Sequence, residues 1–158
     1  MPGKSADRWF AACDAAHPHA ANRWLRWSCV PVIFFALLGL AWAIPVSAAW
    51  EARLPWFNWS LVAIALACGG YACLSLPLAV GLLAGMAAGH AVLLQLEFYA
   101  PWPVGQICLV LLVAAGIGWC VGHRIEGRKW SWRADGICLL LAPAWLLSRV
   151  YRRVGLPY

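Results

Sequence analysis

From Leu54 to Leu96 the chain runs 43 residues without an Asp, Glu, Lys or Arg. A helix on a soluble protein carries charged and polar residues along its solvent face, so a run of this length belongs in lipid. It is too long for one crossing at about 20 residues and about right for two. Residues 27–50 form a second uncharged run, and Val104 to Gly122 a third. These runs constrain the fold more than any other feature of the sequence. They leave an all-α, polytopic membrane bundle as the expected class.

The rest of the composition agrees. Of 158 residues, 64% are hydrophobic and 11% charged, against about a quarter charged in an ordinary soluble domain. The twelve tryptophans suit membrane–water interfaces, where indole rings concentrate. A net charge of +6 does not point to nucleic acid, because the basic residues sit between apolar spans, where topology and anionic lipid account for them. Seven cysteines (13, 29, 68, 73, 108, 120 and 138) show no CxxC and no paired spacing, so no disulfide framework is expected. Residues 1–27 lack the apolar core of a cleavable signal peptide.

The chain divides into a single integral membrane domain, 1–158. Residues 1–26 form a cytoplasmic or interfacial segment, with Pro18 expected to break any helix near His17. Residues 27–123 hold four spans, near 27–50, 58–74, 78–96 and 104–123. Ser75-Leu76-Pro77 marks the turn between the second and third. Residues 124–158 hold a loop, an apolar stretch and a basic tail. The apolar stretch, 136–148, is short for a span and contains Pro143, so it reads as re-entrant or interfacial. Four crossings place eleven of the twelve Lys/Arg on one side, with Arg53 alone opposite. By the positive-inside rule that side is the cytoplasm, and both termini lie there. Gly81, Gly85 and Gly89, with Gly118 and Gly122, repeat a small-xxx-small spacing that suits a contact between the third and fourth spans. Glycine is also simply frequent in membrane helices.

The fourth span delivers His123 to the membrane surface, with Glu126 three residues on and on the same helical face. Two histidines and one carboxylate with open positions suit non-haem Fe(II) and oxygen chemistry. His17 or His19, with His123 and Glu126, supplies such a set, although a HxxE pair at a helix end is more often a solvated cap. Asn22 and Arg26 lie one helical turn apart. Arg26 matches a carboxylate or a lipid phosphate, or simply follows the positive-inside bias, and Arg128 has the same ambiguity. His90 falls about 18 Å into the third span. There it is either functional or part of a helix–helix hydrogen bond, and it is too deep to join His123.

The order of these pieces is His17-x4-Asn22, Val30-Pro31, LPLAVGLLAG (76–85), CVGHRIEGRK (120–129), LLLAPAW (139–145) and GLP (155–157). It resembles the membrane-embedded 2-hydroxy fatty acid dioxygenase family, whose fungal member works in phytosphingosine breakdown at the endoplasmic reticulum. The resemblance covers almost the whole chain. It implies an Fe(II) enzyme that uses histidine ligands and O2 to shorten a 2-hydroxy fatty acid by one carbon, in a bacterial inner membrane or the endoplasmic reticulum. By matching position it carries the family's residues onto His17, Asn22, His123 and Glu126. On that reading His17, His123 and Glu126 are catalytic, iron ligation falls to His17, His19 and His123, and substrate contacts to Asn22, Arg26 and Arg128. The expected partners are the membrane and a lipid or fatty-acid substrate. Three positions depart from the family pattern: Arg26 stands where a second N-terminal histidine is usual, Trp119 where a glutamine is, and Trp130 where a proline is. Arginine cannot ligate iron. Either His19 takes over that role, or the chain is a non-catalytic membrane protein of the same fold that binds lipid or a partner.

Overall fold

A computed structural model describes residues 7–11, 20–125, 127 and 132–157. The described residues are helices and connecting turns: α1 Ala20–Trp42, α2 Ala48–Glu51, α3 Trp59–Ala72, α4 Leu76–Tyr99, α5 Val104–Ile125 and α6 Trp132–Val154, with a helical turn at 7–11 ahead of them. Three segments are long and apolar enough to cross a membrane: Trp24–Trp42, Leu76–Tyr99 and Val104–Ile125. That is the signature of an integral membrane protein.

Helix boundaries depart from the sequence expectation where proline and caps intervene. The first span ends at Trp42 rather than near residue 50. Pro45 disfavours helix at Ile44, and the chain turns before resuming as the short α2. Asn58 caps α3, its side chain accepting from the Ser60 amide at 2.8 Å. This fixes the start of a helix of only 14 residues, about 21 Å long. It is shorter than the span expected at 58–74. Ser75 is the N-cap of α4 and Pro77 lies in its first turn, where a missing amide hydrogen costs nothing.

The largest correction concerns 136–148. It is the centre of a 23-residue helix that contains Pro143, not a separate short segment. Counting uncharged residues hid this, because α6 continues through polar and basic residues at both ends. Gly155, at φ 76°, ends it, and the Leu156 amide reaches back to the Tyr151 carbonyl at 2.9 Å, the bonding of a Schellman motif.

Helix α1 is the hub, in contact with α3, α4, α5 and α6. Its closest partner is α5, which runs antiparallel to it. Gly39 meets Cys108, Gly105 meets Ala43, Gly118 meets Cys29, and Gly122 meets Asn22. A Cβ on Gly118 would stand 2.8 Å from the Cys29 sulfur, so glycine there permits the approach. The small residues of α5 therefore face α1. The expected pairing of the third and fourth spans is much slighter than the contact between α1 and α5, because α1 occupies that face. On α4, Gly81 accommodates Leu147 and Tyr151 of α6, and Gly89 lies against Phe35 and Leu38 of α1.

The helices α1, α3, α4 and α5 alternate in direction. Trp42, Asn58 and Glu97 meet at one end: Trp42 donates its indole N–H to Glu97 at 3.3 Å, and Asn58 donates to the Trp42 carbonyl at 3.3 Å. Helix α6 touches the other end at three places. Its first turn meets His123, Tyr71 donates to the Leu140 carbonyl at 2.5 Å, and Tyr151 donates to the Pro77 carbonyl at 3.0 Å. Both ends of α6 thus contact the same end of the bundle, and the helix lies across it. Beneath α6 is an apolar cavity of about 500 Å3, lined by Trp27, Phe34, Gly85, Met86, Leu146 and Val150 among others, with no charged side chain among the described residues of its lining. Cys138 on α6 is disulfide-bonded, which the cysteine spacing gave no reason to expect, while Cys29, Cys68, Cys73, Cys108 and Cys120 are free.

Candidate functional site

At the end covered by α6, four polar side chains from three helices are buried together with Trp119. Asn22 and Arg26 come from the start of α1, His123 from the last turn of α5 and Asp135 from the first turn of α6. Their exposures are 2%, 4%, 5% and 2%. Charged side chains are almost never this buried unless paired. Polar burial on this scale next to lipid-facing helices marks a functional site by default.

Each position has a local cause. Asn22 packs against Gly122, which has no side chain to exclude it. Arg26, one turn further along α1, lays its guanidinium 4.5 Å from the centre of the Trp119 ring, a cation–π contact that stabilises a desolvated charge. Trp119 precedes His123 by one turn, and their ring centres are 5.5 Å apart. The His123 Nδ1 lies 3.1 Å from the Trp119 carbonyl oxygen. A carbonyl only accepts, so Nδ1 carries the hydrogen and donates it. That bond fixes the ring and turns Nε2 toward Asp135, whose Oδ1 is 3.3 Å away. Asp135 also sits in the first turn of α6, where the helix dipole favours a negative charge.

The structure therefore brings together Asn22, Arg26 and His123, all singled out from sequence. His17, His19, Glu126 and Arg128 lie outside the described residues. Asp135 was missed. Its only sequence signal is its place as the last acid before an apolar stretch. Twelve positions separate it from His123, and only the return of α6 closes that gap. Trp119 is part of the site as both the arginine platform and, through its carbonyl, the acceptor for His123.

His90 has a different setting. Its Nδ1 is 3.0 Å from the Ser60 hydroxyl oxygen, and the Trp42 ring meets it edge-on, centres 5.0 Å apart. This is the helix–helix hydrogen bond, joining α3 to α4. Trp42 and Asn22 are at opposite ends of α1, about 30 Å apart at 1.5 Å per residue, so the two histidines serve separate clusters.

The donor set bears directly on iron. Among the described residues no group of three His, Cys, Asp or Glu side chains converges on one point. Two donors do converge, the His123 Nε2 and the Asp135 carboxylate, and the Nδ1–H to carbonyl bond is the outer-sphere support that ligating histidines usually have. The residues present fit two of the three positions in a two-histidine, one-carboxylate site. No family model, curated protein or solved structure matches the chain.

Proposed function

We propose that this chain is a membrane-embedded, Fe(II)-dependent oxygenase of 2-hydroxy fatty acids, resembling the family whose blocks it carries. The observation that supports this best is His123, buried at the helix-covered end of the bundle, its Nδ1–H held by the Trp119 carbonyl and its Nε2 directed at a carboxylate. Bound Fe(II) would activate O2 for one-carbon shortening of the substrate. The protein residues do the rest. His123, with a histidine from the segment preceding α1, holds the ion, and Asn22 and Arg26 bind the substrate carboxylate. The site excludes water, so the pairing of Arg26 with an anion is strong. The acyl chain lies in the apolar cavity lined by α1, α3, α4 and α6. That cavity is in the size range of small-molecule pockets, about 300–1,000 Å3. In this reading α3 makes a short fourth crossing, and the basic end, with both termini and α6, faces the cytoplasm.

A second reading has support from one residue. Arg26 brings a permanent positive charge into the cluster, which suits a metal-free network of buried ions in a lipid-binding protein without catalysis.

Oxygen consumption separates the two. Purified protein loaded anaerobically with Fe(II) and given 2-hydroxypalmitate is expected to consume O2 and release the acid one carbon shorter. His123→Ala is expected to do neither. A loaded wild-type protein that turns over no 2-hydroxy acid, while still binding it, leaves the non-catalytic reading standing.

A further inference from the structure

Resting on the metal-dependent reading above, we propose that Asp135 supplies the carboxylate ligand beside His123, the role that sequence spacing gives to Glu126. Three observations carry this. The first is separation. The Nε2 and Oδ1 atoms are 3.3 Å apart, and two donors bound at about 2.1 Å to one ion stand about 3.0–3.4 Å apart between right-angle and tetrahedral coordination. One cation can therefore reach both.

The second is ring orientation. The Nδ1–H of His123 is committed to the Trp119 carbonyl, and Nε2 is the nitrogen turned toward Asp135. The third is burial on rigid elements. Asp135 is 2% exposed and sits on a helix whose Trp145, Ala144 and Leu146 belong to the same core as Trp119. Ligands carried by packed helices keep their geometry better than ligands on loops. In such a set the carboxylate comes from α6 and one imidazole from α5, and α6 is a required part of the centre.

The test is anaerobic Co(II) titration of the full-length protein in detergent, read by the visible ligand-field absorption, with bound metal counted independently. Wild type is expected to bind one Co(II). Asp135→Asn is expected to weaken binding about a hundredfold or more, since even outer-sphere losses cost 10–100-fold. Asp135→Glu keeps the carboxylate and is expected to retain the metal with a shifted absorption band. Glu126→Gln is expected to behave as wild type. If Asp135→Asn fails to fold by circular dichroism, Asp135→Glu alone decides, and an unshifted band overturns the proposal. Wild-type affinity and spectrum in Asp135→Asn, with binding lost in His123→Ala, removes Asp135 as a ligand and leaves the metal reading intact. A wild-type protein that takes up neither Co(II) nor Fe(II) overturns both.

Discussion

Each end of this bundle holds a histidine, half-buried at one end (His90) and buried at the other (His123), and the contrast between them shows what makes one a candidate for chemistry. His90 bonds to a serine hydroxyl and meets an indole edge. Nearby, Asn58 caps α3 and bonds to Trp42. The partners of His90 itself are neutral, while Trp42 donates its indole N–H to the Glu97 carboxylate at the same end. His123 instead lies among a carboxylate from α6 and a guanidinium and an amide from α1. Ions buried together are weak evidence for stability, because desolvation offsets most of their attraction. Function is the better explanation for keeping them. The same residue type is therefore a fastener at one end and a candidate ligand at the other, according to whether its partner is a neutral hydroxyl or a carboxylate.

Several substitutions would break or sharpen that contrast. The largest effect is expected at the α1–α5 seam that builds the His123 end. Gly122→Leu drives a side chain into Asn22, where even a Cβ has no room. It should destabilise the protein by about 3 kcal/mol or more, at or above the usual range for overpacking, seen as a large fall in melting temperature in detergent. Next is Arg26→Met, which keeps bulk over Trp119 but removes the charge. Losing a charged hydrogen bond of about 1.5–3 kcal/mol should raise KM for a 2-hydroxy acid roughly tenfold to a hundredfold and leave KM for its methyl ester unchanged. Equal effects on acid and ester would show that Arg26 does not read the carboxylate.

At the opposite end, His90→Ala strands the Ser60 hydroxyl, which is fully buried. The expected cost is about 1–3 kcal/mol of stability, with metal content and turnover unchanged. Altered metal binding in that variant would join the two clusters that the structure separates. The smallest stability effect is expected for Gly85→Leu, since nothing lies within 4 Å of that position. It points to the apolar cavity, so thermal stability should hold while long-chain substrates lose affinity relative to short ones.

How much of this was legible in the sequence varied with the physics behind each feature. Uncharged runs located α1, α4 and α5, because the bilayer demands an apolar stretch of known length. The reach of α6 was not legible, since its ends carry Asp135, Arg149, Arg152 and Arg153, which charge counting assigns to loops. Nor was the partner of the glycine stripe: Gly118 and Gly122 announce a close approach but not which helix makes it. In the site, Asn22, Arg26 and His123 stood out because polar residues at the edges of apolar spans are costly. Asp135 did not, because its nearness to His123 depends on a helix folding back across the end of the bundle.

The most direct test counts iron per chain after anaerobic Fe(II) loading and desalting, in wild type, His90→Ala and His123→Ala. One iron per chain in the first two, and almost none in the third, is the predicted result. No iron in wild type, or full retention in His123→Ala, would contradict a metal centre at the end of the bundle that α6 covers.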